Sequence, residues 1–319
     1  MRAYIVRRVL LMIPTFILVT MTVFFAVRLI PGSVIDQMIA EMAGSGTDIY
    51  STRQEIQKAM GLDEPIHIQY VKWFGGILHG DLGKSLWTRE PVMRSIMQRL
   101  PITAELGFLA LVVGLSIALP IGTFAAVRQD TRGDYLGRTI AIIFISVPSF
   151  WIGTMVVVYP SIWLNWSPPV DLIPLRQDFF GNFKQFILPA SIMGMVMSGG
   201  TMRMTRTMML EVLRQDYIRT AWEKGLTERA VVMKHALKNA LIPVVSMVGM
   251  SIPIMIAGSV IIEQIFTLPG IGLLLIEALN KRDYPIISGI IIFIATAVIV
   301  INLIVDLIYT LLDPRTAYK

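Results

Sequence analysis

Long apolar stretches separated by charged segments dominate the chain. Six stretches contain no Asp, Glu, Lys or Arg, namely residues 9–27, 106–127, 139–164, 186–202, 239–262 and 286–305. An α-helix rises about 1.5 Å per residue, so about 20 residues cross a hydrocarbon core about 30 Å thick. The shorter, glycine-rich fourth stretch gains a turn from residues 203–206, whose Arg side chains can extend to the membrane surface. The pattern predicts an all-α, polytopic membrane protein with six transmembrane helices.

Proline occurs inside five of these stretches. A proline in a soluble helix costs about 3 kcal/mol, but neighbouring helices in a membrane bundle can satisfy the freed carbonyl groups. We expect these prolines to produce packing kinks, and the sequence leaves open that one of them is a hinge during transport. The residues concerned are Pro14, Pro120, Pro148, Pro189, Pro243 and Pro253.

Basic residues are unequally distributed between the predicted loops. With a cytoplasmic N-terminus, the cytoplasmic segments contain sixteen Lys and Arg residues, whereas the short outer loops contain four. Cytoplasmic loops carry the excess of Lys and Arg in membrane proteins, so we expect both termini in the cytoplasm. The predicted organisation is an N-terminus with the first span (1–30), an outer segment (31–100), and a five-span core (101–319) with a cytoplasmic loop, 203–238.

Composition narrows the possible functions. Hydrophobic residues make up 55% and charged residues 16% of the 319 positions, and the mean hydropathy is +0.66. A soluble domain carries about 25% charged residues, so a disordered chain is excluded and a soluble enzyme is disfavoured. The chain has no Cys and only three scattered His residues, so no metal site is predicted. The net charge of +6 reflects membrane topology rather than nucleic-acid binding.

No internal source of energy is evident. The segment Gly83-Lys84-Ser85 lacks the earlier glycine of a phosphate-binding loop, because position 78 is Leu. An intramembrane hydrolase would need paired carboxylates, a Ser–His pair or a metal cluster at membrane depth, and the apolar stretches contain none. Transport is therefore either passive, through a channel or stand-alone carrier, or driven by proteins outside the bilayer. The polar groups that an ion-coupled carrier could use lie near span ends: Glu105, Asn302 and Asp306.

The cytoplasmic loop 203–238 favours an external drive. Residues 207–224 are predicted to form a helix that ends at Gly225, because glycine tolerates the left-handed conformation of a helix terminus. Thr227 can cap a second helix, 228–239, with Glu228 at its positive end. Two helices broken at one glycine can fit a cleft on a soluble partner. The alternative is a solvated or lipid-contacting basic loop.

Residues in this loop resemble the EAA loop of ABC importer permeases, and most closely the dipeptide/oligopeptide/nickel branch of that family. Arg219-Thr220-Ala221 stands where the general consensus has Glu-Ala-Ala, and Gly225 matches the consensus glycine. Other segments resemble the same branch in the same order along nearly the whole chain. They are Leu62-Asp63-Glu64-Pro65, Gly80-Asp81-Leu82-Gly83, Thr103-Ala104-Glu105-Leu106, His235-Ala236-Leu237-Lys238-Asn239 and Pro269-Gly270-Ile271-Gly272.

The resemblance implies a type I ABC importer permease of the bacterial cytoplasmic (inner) membrane. Such a subunit pairs with a homologous second permease, two cytoplasmic ATPases that bind ATP and Mg, and an extracytoplasmic solute-binding protein. It implies that this chain catalyses nothing, holds no cofactor or metal, and binds membrane lipid but no nucleic acid. It also implies that the loop contacts an ATPase through Asp216, Tyr217, Arg219, Thr220, Ala221, Glu223, Lys224 and Gly225.

A second candidate site precedes the last span. Glycine and proline there permit a short broken helix near the outer mouth, which we interpret as a gate or docking surface formed by Glu263, Phe266, Pro269, Gly270 and Gly272. Among solutes, the resemblance favours di- or oligopeptides, and nickel chelates, glutathione, opines and small saccharides remain alternatives. An exporter subunit is disfavoured only by the outer segment and the family pattern.

Overall fold

The computed structural model describes residues 2–29 and 63–312, and the part of the predicted outer segment at 31–62 lies outside them. In the described residues all regular structure is helical, apart from one isolated bridge between Lys84 and Pro91. This confirms the all-α prediction for that part of the chain. The helices are α1 (Arg2–Leu29), α2 (Ile66–Leu78), α3 (Val92–Val127), α4 (Arg132–Ser146), α5 (Ser149–Leu164), α6 (Phe179–Leu213), α7 (Asp216–Glu223), α8 (Glu228–Ala230), a π-helical turn (Val231–Ala236), α9 (Leu237–Ile265), α10 (Ile271–Asn280) and α11 (Tyr284–Leu312).

Several described helices are long and apolar enough to cross a membrane. Four qualify alone, and the bent pair α4–α5 provides a fifth if it counts as one span. Helix α6 contains the fourth predicted stretch and is 35 residues long, but its glycine-rich middle is less apolar. The four are Arg7–Leu29, Val92–Val127, Glu228–Ile265 and Tyr284–Ile308.

The third predicted span consists of two helices rather than one. Helices α4 and α5 meet at an angle of 86°. Val147, between them, is extended (φ −94°, ψ 121°), because the ring of Pro148 disfavours helical geometry in the preceding residue. Proline also lacks the N–H that would continue the helix. Of the six prolines considered above, Pro148 lies at a break, and the others lie within helices.

The chain divides into two compact units. The first comprises Met1–Ile5, Pro101–Leu273 and Val298–Lys319, and the second comprises Val6–Leu100 and Leu274–Ala297. In the first unit, α6 packs closely against α3 and α4 through glycines. A Cβ atom at Gly194 would lie 2.7 Å from the Ala110 carbonyl oxygen, and one at Gly199 would lie 2.7 Å from that of Ala141. Small residues allow such close approach between membrane helices.

The close approach at Gly194 predicts a sensitive position. We expect Gly194→Ala to lower the free energy of unfolding by about 1–3 kcal/mol, because backbone must move to admit the methyl group. Gly107→Ala is the matched control, since a Cβ atom there meets nothing within 4 Å. Thermal unfolding of the detergent-purified protein would measure both. Equal melting temperatures for the two variants would contradict tight packing at Gly194.

In the second unit, the loop that follows α2 is attached to the start of α11. The buried Ser85 hydroxyl donates to the Asp283 carboxylate, which also accepts from the Leu86 N–H at 3.2 Å. The Trp87 indole donates to the Lys281 carbonyl oxygen at 2.9 Å. The segment Gly83-Lys84-Ser85 is therefore a structural latch, because its hydroxyl group is used to hold two parts of the chain together.

Candidate coupling surface and outer turn

Helix α7 carries the residues predicted to contact an ATPase. The predicted helix over 207–224 is interrupted, because α6 ends at Leu213 and α7 begins at Asp216. Gln215 is extended (φ −74°, ψ 147°), and the Asp216 carboxylate lies in the first turn, where the helix dipole stabilises an anion. The predicted coupling residues therefore lie on a separate short helix, which a turn at residues 214–215 divides from α6.

Gly225 ends α7 as the sequence predicts. Its φ is +75°, a backbone conformation that residues with a Cβ atom rarely adopt. The Gly225 N–H donates to the Trp222 carbonyl oxygen at 2.9 Å, and the Leu226 N–H donates to that of Ala221 at 3.4 Å. This pair of bonds is a Schellman motif, which satisfies carbonyl groups that the helix end leaves free.

One side of α7 packs against the rest of its unit. Ile218 and Ala221 are buried in an apolar cluster with Met209 from α6 and with residues of the π-helical turn and α9. The other predicted coupling residues are exposed: Asp216, Tyr217, Arg219, Thr220, Glu223, Lys224 and Gly225. Ala221 thus contacts the interior of this chain, and the outward side of α7 is polar and charged.

The second helix of the loop begins as predicted but differs in detail. Thr227 occupies the N-cap position without a side-chain capping bond. The helix then passes through the π-helical turn, which inserts an extra residue per turn, and continues as α9 through Pro243 and Pro253. The Asn239 amide donates to the Tyr217 hydroxyl oxygen at 2.9 Å. α7 is therefore attached to α9 by a polar bond as well as by the apolar cluster.

The outer turn between α9 and α10 is organised around Glu263, whose side chain is fully buried. Its carboxylate accepts from the Thr103 hydroxyl at 2.7 Å, from the Gly272 N–H at 2.7 Å and from the Leu273 N–H at 3.1 Å. The Thr103 hydroxyl oxygen accepts in turn from the Ile271 N–H at 2.9 Å. The carboxylate thus caps the start of α10 from the end of α9 and joins both to α3.

The glycines of the outer turn make room for this carboxylate. A Cβ atom at Gly270 or Gly272 would collide with the Glu263 side chain. Phe266 is buried beside Leu268 and Ile262 in an apolar cluster. The structure therefore brings Glu263, Phe266, Gly270 and Gly272 together in one packed turn, with Pro269 in the same loop.

The sequence did not reveal a buried ion-pair cluster formed by Asp134, Arg138 and Arg206. The Asp134 carboxylate is fully buried and binds two guanidinium groups, each through two hydrogen bonds. The Arg206 bonds are both 2.7 Å, and the Arg138 bonds are 3.1 and 2.7 Å. The spacing of Asp134 and Arg138 indicates a helical pair, but Arg206 is 72 positions away, and no local pattern connects it.

Comparison with known families decides what kind of protein contains these sites. The model of the binding-protein-dependent transport system inner membrane component matches residues 118–318, and the corresponding N-terminal model matches residues 1–107. The first match contains both α7 and the outer turn. The chain belongs to this family of transport permeases.

Full-length relatives support the assignment. The permease is 37% identical to the dipeptide transport system permease protein DppB of Escherichia coli K12 over 344 residues. It is also 37% identical to the oligopeptide transport system permease protein AppB of Bacillus subtilis 168 over 321 residues. Both alignments cover 100% of each chain. The resemblance to the dipeptide/oligopeptide branch is thereby confirmed.

Solved structures share the fold of the permease. An inward-facing structure of the MetNI methionine ABC transporter matches with a TM-score of 0.56 and 17% identity, and covers 69% of this chain and 97% of the other. An amino acid ABC transporter structure matches with a TM-score of 0.50 and 15% identity, covering 70% and 94%. The permease therefore has the fold of ABC transporter membrane components. Its family and its apolar helices make it a multi-pass inner-membrane protein.

Proposed function

We propose that this permease forms half of the translocation pathway of an ATP-driven importer of di- or oligopeptides. The observation that carries the proposal is α7, a short helix held against its own unit by Ile218 and Ala221 with an exposed polar side. Family membership and the names of the full-length relatives support peptides as the solute. Its partners are a homologous second permease, two cytoplasmic ATPases that bind ATP and Mg, and an extracytoplasmic solute-binding protein.

The proposed topology has six spans with both termini in the cytoplasm. Helix α6, at 35 residues, exceeds the length that a membrane crossing requires and serves as the fourth span, and α4 with α5 serves as the third. The basic residues of loop 203–238 support a cytoplasmic location for α7. Residues 31–100 form the outer segment, which includes α2 and the latch.

The proposed mechanism is alternating access. An ATPase groove takes the exposed side of α7. A displacement of α7 is carried to α6 through Met209, to the π-helical turn through Ala236 and to α9 through Ala240. Because this contact is tightly packed, α7 moves with these helices instead of sliding over them. The ATPases must favour one permease conformation by several kcal/mol to switch its population. The chain itself contributes binding surfaces and movement, not catalysis.

The outer turn is proposed as a docking surface or gate for the solute-binding protein. Its internal hydrogen bonds around Glu263 hold it in one conformation. This stiffness supports a fixed surface that moves together with α9 and α10.

Reconstitution in liposomes tests the proposed function. With its partner subunits, binding protein and ATP, the permease should accumulate a labelled dipeptide. Uptake by the permease alone would establish the rival passive channel or carrier, and outward pumping would establish an exporter. Preferential uptake of a nickel chelate, glutathione, an opine or a small saccharide would assign the solute to that class instead.

The coupling surface predicts a specific effect of charge reversal. The Arg219 side chain is 72% exposed and lies 3.7 Å from the carboxylate of Asp216, which is 98% exposed, so Arg219→Glu should leave the fold intact. We expect the variant to weaken ATPase association by roughly tenfold, because it reverses a charge on the exposed side of α7 that the ATPase is proposed to contact. Co-purification of the ATPases with the tagged permease measures the effect.

Arg176→Glu is the control for this prediction, because it makes the same charge change in the exposed loop before α6. It should leave ATPase association unchanged. Equal retention of the ATPases by the two variants would show that Arg219 is ordinary helix surface.

A further inference from the structure

The two guanidinium groups bound to Asp134 have N–H donors that this carboxylate does not engage. Each guanidinium group has five N–H donors, and Asp134 engages two donors of Arg138 and two of Arg206. Asp130 adds an exposed ion pair to Arg138 at 3.5 Å. The buried carboxylate therefore fixes both guanidinium groups in place and leaves some of their donors for another acceptor.

A shallow cleft between α3, α4 and α6 is lined by these two arginines and by a third, Arg203. Arg203, one turn before Arg206, is exposed and makes no ion pair among the residues that the structure describes. Three cations thus face two carboxylates, Asp130 and Asp134. The exposed Arg128 and Arg132, at the turn between α3 and α4, add further positive charge.

The rest of the cleft is apolar. Its lining includes Ile121, Ala125, Ala141 and Met202. The adjacent outward side of α4 exposes large apolar residues. They are Tyr135 at 57%, Leu136 at 61% and Ile142 at 57%. A ligand with a negatively charged head and an apolar body therefore matches both parts of this surface.

We propose that the cleft binds the phosphate group of an anionic phospholipid, with Arg203, Arg138 and Arg206 as its donors. Arginine recognises phosphate through paired, charge-assisted hydrogen bonds, and basic pockets between membrane helices bind anionic lipid head groups. The apolar lining favours a lipid over free phosphate as the source of the phosphate group. The site is independent of the coupling surface, and its binding does not require ATP, solute or a direction of transport.

Lipid binding to the purified, delipidated transporter complex tests the proposal. Native mass spectrometry or a labelled-lipid titration would compare phosphatidylglycerol with phosphatidylcholine of the same acyl chains. We expect saturable binding of phosphatidylglycerol and at least tenfold weaker binding of phosphatidylcholine. Arg203→Gln should weaken phosphatidylglycerol binding by roughly fivefold, the effect of about one basic residue. It leaves the Asp134 contacts intact, so the variant should fold normally.

Arg214→Gln is the matched control, because it removes the same charge from an exposed position just after α6 and outside the cleft. It should leave lipid binding unchanged. Equal losses in the two variants, or equal binding of the two lipids, would overturn the proposal. Competition by millimolar inorganic phosphate would assign the site to a free anion and overturn the lipid source.

Discussion

Peptide uptake should fall by at least tenfold when Gly225 is replaced by Val, while the protein still inserts into the membrane. Gly225 has φ +75°, and the left-handed conformation costs a side-chain-bearing residue about 1–2 kcal/mol, with β-branched residues among the least tolerant. Each 1.4 kcal/mol corresponds to about a tenfold change in an equilibrium. Because Val disfavours this conformation, we expect the turn at position 225 to open and the angle between α7 and the following helix to change. ATP-driven uptake in liposomes, corrected for the amount of inserted permease, measures it.

Gly225→Asn separates backbone strain from side-chain bulk. A Cβ atom at Gly225 meets nothing within 4 Å, so the chain itself has space for either side chain. Asparagine tolerates the left-handed conformation better than other residues with a Cβ atom, and we expect this variant to retain most of its uptake. Equal loss in both variants would point to a steric clash with the ATPase, and normal uptake in Gly225→Val would contradict a required turn at this glycine.

The largest expected effect on stability is that of Glu263→Ala. Removing the carboxylate leaves the buried Gly272 N–H and the partly buried Thr103 hydroxyl and Leu273 N–H without their acceptor. Each buried unsatisfied group costs about 1–3 kcal/mol, so we expect a loss of about 3 kcal/mol or more. The melting temperature of the detergent-purified complex should fall clearly.

Glu277→Ala is the control for this prediction. Glu277 is 47% exposed and pairs with Arg99 at 3.5 Å, and such exposed pairs contribute little to stability. Its melting temperature should match that of the unmodified protein. If Glu263→Ala were equally stable, the outer turn would not depend on its buried carboxylate, and a mobile gate would become the better interpretation.

Local features were predictable from the sequence, and long-range ones were not. The stop at Gly225 follows from one residue type, and the structure confirms it with φ +75°. The break before α7 was missed because Arg214 and Gln215 have no strong helix-breaking tendency. The break at Val147–Pro148 was available from the rule for residues before proline, but the uninterrupted apolar pattern concealed it.

The candidate sites show the same division. The outer turn was predicted from its glycine and proline residues, but the contact between Glu263 and Thr103 joins positions 160 residues apart. The pairing of Asp134 with Arg206 likewise depends on how α4 and α6 pack. Such contacts are set by tertiary structure, and a single sequence contains no periodic pattern that reveals them.

The latch between Ser85 and Asp283 has a consequence for biosynthesis. The two residues are 198 positions apart, and translation proceeds at about 5–20 residues per second. The nascent chain therefore presents Ser85 for about 10–40 s before its acceptor has been made. Until then, the Ser85 hydroxyl and the Leu86 N–H lack the acceptor that fixes the loop 80–91 in the folded protein.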